Sequence, residues 1–442
     1  MGREDFIMKV TGIIAEYNPF HKGHKYQIDY CKKKLNSDYV IVAMSGDYVQ
    51  RGTPALLPKH VRAEMALRCG ADLVLEMPVS VSTASAEAFA FGGVSMLDGL
   101  HIVDSLCFGS EYGEVSALME LAEILVKEPE EYRSLLKEFL SNGLSFPSAR
   151  CQALTEYFKN PRNFTGDDFD GVLTPLLNQI VQILNSPNNI LGIEYCKALL
   201  RLKSNIKPVT LKRQGMGYHE KLADTDGSIS ASHTDDNTFA SASAIRELLK
   251  AALMPETISR ITAQVPDEIS SLLASSLQRN EFLTEDVLDP LLSYCILKEN
   301  TSGLSTYLDV SRDLAERIVN LSNEIKGFLQ AASLLKTKEL TQTRIQRALL
   351  HIILGIREVP ATVPYARVLG FRKESSALLK EIKDSSSIPL ITKLADADSL
   401  LSEAGKVLLS ETTFASNIYE KLLCQKSGRN FVHEYQNQLV IL

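Results

Sequence analysis

Over the first 110 residues, short continuous apolar runs alternate with longer stretches in which apolar residues recur every three or four positions. "VTGIIAEY" (10–17), "DYVIVAMSG" (38–46), "ADLVLEMPV" (71–79) and "DSLCFGS" (104–110) read as strands. The segments 24–35, 59–69 and 84–97 between them read as amphipathic helices. Buried strands spaced by helices predict βαβ units, and so a Rossmann-like α/β fold with a parallel sheet. From 115 to 202 the spacing is helical, and strand character returns in "NIKPVTLKR" (205–213). This predicts a helical insertion between the fourth and fifth strands. A polar Gly/Ser/Asp-rich stretch (219–241) reads as a loop and leads into "SASAIRELLKAAL", where a serine opens a helix. Beyond 250 nearly every segment has helical spacing. The expected division is an α/β domain over 8–250 and a mainly α-helical C-terminal domain over 251–442, without an internal repeat. The seven residues ahead of the second methionine read as an extension.

Composition narrows the class. Apolar content of 45% and charge of 23% are ordinary for a globular protein, and the formal net charge is −7. Any contact with nucleic acid must then come from a local basic patch. Seven cysteines without a C-x-x-C pair fit reduced thiols better than a disulfide framework or a zinc site. No apolar run approaches the roughly 18 residues of a membrane span, and no secretory signal pattern opens the chain. The expectation is a soluble, cytoplasmic protein.

Chemistry concentrates in the loops that follow strands, where ligands of parallel sheets collect. The first is "GIIAEYNPFHKGHKYQI" (12–28), in which a strand breaks at Asn18-Pro19 and two histidines bracket a glycine. A helix N-terminus offers unpaired N–H groups and the positive end of a dipole, which suits a phosphate. Gly23 permits close approach, and His21 and His24 add donors for a phosphoryl group in flight. Two surface histidines, or a metal pair, have the same spacing, but no third ligand lies nearby in sequence.

"His21-Lys22-Gly23-His24" resembles the H-x-G-H signature of the nucleotidyltransferase superfamily. The longer string "AEYNPFHKGH", with "GDYVQRG", "CFGSE", "PNNILGIEY", "KRQGMGYHE" and "SASAIR" following in order, resembles the bacterial tRNA(Met) cytidine acetate ligases. Tyr17-Asn18-Pro19 stands where many of the wider superfamily carry Phe-Asp-Pro. That departure fits the narrower family and counts against a cofactor adenylyltransferase. The resemblance implies ATP-dependent activation of acetate to acetyl-adenylate. The acetyl group then passes to N4 of the wobble cytidine of elongator tRNA(Met), with Mg2+ as the nucleotide's counter-ion. It implies His21 and His24 as catalytic residues. It implies an ATP site along Ile13, Ile14, Ala15, Glu16, Tyr17, Asn18, Pro19, Phe20, His21, Lys22, Gly23 and His24. Gly109, Asn189, Arg213 and Ser243 complete that site, with Arg246 beside the serine. Of Asn188 and Asn189, one is expected to cap the helix they open. Asp47, Gln50 and Arg51 are expected near the acceptor, without individual roles.

Residues 341–372 hold five arginines against one acid, Glu358. Ile345, Leu349, Ile352, Ile353 and Ile356 form one helical face, and Arg344, Arg347 and His351 another, with Thr341 as N-cap. In an acidic chain this inversion points to tRNA phosphates, with Arg344 and Arg347 as the contacts and Tyr365 as a base-stacking ring or a core residue. A transferase acting on a small cofactor precursor, or an RNA-binding protein with a nucleotide sensor, are the competing readings. The long helical tail disfavours the first, and the intact phosphate motifs disfavour the second. Acetate, cytidine and tRNA(Met) follow from the resemblance alone.

Overall fold

A computed structural model describes residues 8–160, 180–213, 242–249 and 254–442. β1 (Val10–Ala15) leads into α1 (Lys22–Lys33), then β2 (Tyr39–Ser45) and a hairpin of β3 (Tyr48–Val49) and β4 (Thr53–Pro54). α2 (Lys59–Arg68), β5 (Leu73–Met77), α3 (Ala86–Asp98) and β6 (Ser105–Ser110) follow. Among the described residues the insertion is helical as expected, with 161–179 lying outside them: α4 (Val115–Lys127), α5 (Glu130–Ser141), α6 (Phe146–Lys159) and α7 (Pro187–Leu202) precede β7 (Lys207–Lys212). α8 (Ala242–Leu248) closes this half, and the expected loop at 219–241 lies outside the described residues.

β1 pairs in parallel with β2 on one side and β6 on the other, and β7 extends the sheet beyond β6. β1 and β2 are buried on both faces, which is why they read as continuous apolar runs. α3 lies close over β1, where a Cβ on Gly93 would come within 2.8 Å of the Ile14 side chain. A larger residue at either position would lift the helix off the sheet.

The C-terminal half is mainly helical as expected, including α9 (Gln342–Leu354), but not wholly so. It also contributes β8 (Ala366–Phe371), β9 (Leu390–Ile391) and β10 (Val440–Ile441). β8 runs antiparallel beside β5, so the order is β10-β8-β5-β2-β1-β6-β7, with β9 pairing to β8 off this path. One sheet therefore crosses the division expected at 250. "ARVLGF" is a short, buried, non-alternating run, which periodicity does not separate from a helix segment.

α10 (Glu403–Ser427) packs across the loop after β2, and Tyr419 Oη donates to Ala55 O at 2.8 Å. The junction holds buried charge. Lys59 Nζ lies 2.6 Å from Glu76 Oε1 and 2.7 Å from Glu434 Oε1. Arg367 bridges the same two carboxylates, and Ser416 Oγ accepts from Lys59 Nζ at 2.7 Å. Burial alone would raise the Glu434 carboxyl, but Lys59, His60 and Arg367 hold it well below the usual range. Each ion needs the others, because a buried unpaired charge is far costlier than a surface one. Glu434→Ala should lower the unfolding free energy by about 3–5 kcal/mol. Chemical denaturation is the check, and a change under about 1 kcal/mol, the range of an exposed pair, would contradict this placement.

Candidate active site

Beyond the carboxyl ends of β1, β6 and β7 lies a cavity of about 630 Å³. One wall is the β1 exit (Ile14 to Asn18) with the first turn of α1. Another comprises Gly109 at the end of β6 and Glu111 just beyond it, Asn188 on α7 and Arg213 after β7. Ser243 and Arg246 of α8 line it as well, as do Gln50, Arg51 and, from α9, Thr343 and Arg347.

The β1 exit is held by hydrogen bonds to backbone groups. Tyr17 takes a left-handed φ of 49° and the Asn18–Pro19 peptide is cis. Arg62, fully buried, donates to Glu16 O at 2.6 Å, Leu57 O at 2.9 Å and Ser45 O at 3.0 Å, and to Gly46 O. Asn18 Oδ1 accepts from Leu56 N at 2.7 Å, and its carbonyl accepts from Arg246. The asparagine that departs from the wider superfamily thus fastens one loop to the next.

His21 is the N-cap of α1. Its Nδ1 accepts from Gly23 N at 3.1 Å, while His24 Nδ1 accepts from His21 N at 3.2 Å. The two rings stack with centroids 3.6 Å apart. With both Nδ1 atoms accepting, each neutral ring carries its proton on Nε2. Burial pushes His21 down to about 3, helped by Arg213 and Arg246. Burial, then His21 and Arg213, also lower His24. The pair therefore supplies neutral N–H donors, and the positive charge comes from elsewhere. Among the described residues, five cationic side chains line the cavity (Arg51, Lys212, Arg213, Arg246 and Arg347) against two acids, Glu16 and Glu111. A polyanion is the ligand such a lining fits.

The remaining expected residues divide. Ile14, Ala15, Glu16, Tyr17, Asn18, His21, Gly23, His24, Gly109, Arg213 and Ser243 line the cavity. Ile13 and Phe20 instead lie wholly within the core, and Pro19 and the exposed Lys22 are outside the lining. Asn189 is buried behind the wall, its Oδ1 accepting from Tyr112 N at 3.0 Å, and Asn188 is the asparagine at the cavity. Neither caps α7. Glu111 does so, accepting from Asn189 N at 3.0 Å and Asn188 N at 3.4 Å. The acid in "CFGSE" carried that signal, since carboxylates favour helix N-termini. Asn188 Oδ1 in turn accepts from Arg213 at 3.3 Å. Among the described residues no group of three or more His, Cys, Asp or Glu could hold a metal ion.

The family profile described as HIGH Nucleotidyl Transferase matches residues 8–434. The tRNA(Met) cytidine acetate ligase of Acetivibrio thermocellus is 37% identical over 98% of this chain and 100% of its own length. That of Clostridium tetani is 39% identical over 88% of this chain and 91% of its own. The chain belongs to the tRNA(Met) cytidine acetate ligase family. Thermotoga maritima TmcAL, in a crystal structure bound with alpha-thio ATP, superposes with a TM-score of 0.84 at 27% identity. The match covers 98% of this chain and 100% of that one, and the apo form gives a TM-score of 0.86.

Within this family member, the basic stretch at 341–372 is not the continuous outer face expected. His351 is fully buried, with Nδ1 at 3.0 Å from Leu308 O and Nε2 at 3.2 Å from Thr83 Oγ1. Arg367 belongs to the buried ion cluster, and Tyr365 is in the core. Arg344 is exposed, whereas Arg347 lines the cavity itself and pairs with Asp309 at 3.3 Å. The helix assigned to RNA docking is thus part of the same site as the histidines. Apolar spacing located the helix, but only the fold shows which turn reaches the cavity.

The lowered His21 value has a stability consequence. The unfolded chain binds a proton near pH 6.5 and the folded one only near 3, so this contribution is full above 6.5 and is lost as pH falls towards 3. Between pH 6.5 and 5 the unfolding free energy of the wild type should fall more steeply than that of His21→Asn. Parallel curves from denaturation at several pH values would show that His21 is not held neutral.

Proposed function

We propose that this protein uses ATP to join acetate to N4 of the wobble cytidine (C34) of elongator tRNA(Met). One acetate oxygen attacks the α-phosphorus, a P–O bond forms, and pyrophosphate leaves with the electrons of the bond that breaks. The cytidine amine then attacks the acetyl carbon, losing a proton, and AMP departs. Family membership supports this reading, and the observation that carries it is the stacked, neutral His21–His24 pair in a cation-lined cavity. Phosphoryl chemistry of this kind asks the protein mainly to position groups and to meet developing charge. The two Nε2–H groups meet charge on the α-phosphate, while Arg213, Arg246 and Ser243 hold the rest of the triphosphate. Gly109 lets adenosine lie against backbone. Mg2+ would come as the nucleotide's counter-ion, held by the phosphates. Arg344, exposed one turn before Arg347, is the contact for an RNA phosphate at the cavity mouth. No helix among the described residues is long and apolar enough to cross a membrane, and the cytoplasm is the compartment proposed.

The deciding assay follows pyrophosphate release from ATP with acetate, with and without tRNA(Met), and then weighs the nucleosides by mass. Acetate-dependent release and an N4-acetylcytidine product are expected. Release that ignores acetate would contradict the reading. His24→Ala should slow adenylation by about 10²-fold or more, as loss of a transition-state donor does. A near-wild-type rate would remove that histidine from the mechanism. Arg344→Ala should weaken tRNA binding and reduce the slope of its salt dependence by about one, with adenylation in the absence of RNA unchanged. An unaltered salt titration would count against the contact.

A further inference from the structure

Arg347 comes from a helix some three hundred residues after the histidine motif, yet it forms part of the same cavity wall. The wall is continuous there. Gly52, at φ 74°, lies so close to α9 that a Cβ would come within 2.4 Å of Arg347 N. The loop carrying Gln50 and Arg51 and the first turns of α9 are therefore one packed surface. Arg347 is oriented from behind: its Nε donates to Asp309 Oδ2 at 3.3 Å. Asp309 itself has a left-handed φ of 64°. The turn that carries it is fastened to the core, with Leu308 N donating to Ile356 O at 3.0 Å and Leu308 O at 3.0 Å from His351 Nδ1. With Nε committed, the two terminal nitrogens of Arg347 make no hydrogen bond among the described residues.

We infer that Arg347 is a substrate-binding residue of the adenylation step, its terminal fork holding the carboxylate of the acyl substrate in the cavity. The inference rests on the acetate-ligase reading. Three observations favour a small carboxylate over the other anions of the reaction. The Arg347 side chain is only 13% exposed and lies on the cavity wall, whereas Arg344 one turn earlier lies on the outer surface. Asp309 offsets part of its charge, leaving a site suited to a monoanion. The loop after β2 and α9 form this wall, whereas Arg213 comes from the opposite side, after β7. A planar guanidinium fork matches a carboxylate with two parallel hydrogen bonds, a geometry lysine cannot reproduce.

The test is acetate-dependent ATP–pyrophosphate exchange by the full-length protein, measured for the wild type, Arg347→Ala, Arg347→Lys and Asp309→Asn. Arg347→Ala should raise the KM for acetate about 10- to 100-fold, as expected when a charged hydrogen-bonding partner is lost, with the KM for ATP within about threefold. The unchanged KM for ATP doubles as proof that the variant is folded. Arg347→Lys and Asp309→Asn should give smaller increases, and added guanidinium ion should partly restore Arg347→Ala at low acetate. An unchanged KM for acetate alongside weaker, less salt-sensitive tRNA binding would assign Arg347 to RNA phosphate and overturn the inference. A rise confined to the KM for ATP would assign it to the triphosphate and overturn it equally. No acetate-dependent exchange by the wild type would overturn the acetate-ligase reading, and this inference with it.

Discussion

Six ionisable side chains lie buried where the loops after β2 and β5 meet the C-terminal half: Lys59, Arg62 and Arg367 against Asp47, Glu76 and Glu434. Their number is balanced, and that balance is a condition of the fold, since desolvating any one without its partners is prohibitive. Lys59 and Arg367 each bind Glu76 from the N-terminal part and Glu434 from the far end of the chain. Arg62, in the same cluster, turns outward from it to the carbonyls of Glu16, Ser45 and Gly46. Those carbonyls lie where β1 and β2 end and their loops begin. The cluster therefore joins the two halves and also sets the edge of the cavity.

That arrangement explains why nucleotide motifs and the basic helix converge despite their distance in sequence. β8 beside β5 draws the C-terminal half onto the sheet, α10 covers the loop after β2, and α9 meets the same loop at Gly52. The site so formed separates two electrostatic tasks. Arginines and a lysine set a positive potential suited to a polyphosphate, and the buried histidines remain neutral within it. Neutral donors aimed by fixed hydrogen bonds at Nδ1 need no reorganisation when charge develops on a ligand.

Much of this was legible in the chain. The five parallel strands, the helical insertion and the histidine-bearing loop follow from apolar runs and turn residues, because each is decided locally. Gly109, Arg213, Ser243 and most of 14–24, expected on one rim, line one cavity. What was not legible depended on long-range partners. β8 is short, buried on both faces and paired with a strand nearly three hundred residues away. Asn188 and Asn189 are adjacent, and which of them faces the cavity depends on Glu111 and Tyr112 beyond β6. His351 and Arg367 look alike in sequence to exposed basic residues, and their burial depends on Leu308, Glu76 and Glu434.

On the proposed function, one cavity walled by both halves of the chain holds the nucleotide and the acyl group together. A crystal structure of the protein with a non-hydrolysable acetyl-adenylate analogue tests it most directly. Adenosine is expected against Gly109 and Asn188, the phosphate mimic within hydrogen-bonding distance of His21 and His24, and the acetyl end towards Thr343 and Arg347. An analogue bound outside this cavity, or with its acetyl end turned away from α9, would contradict it.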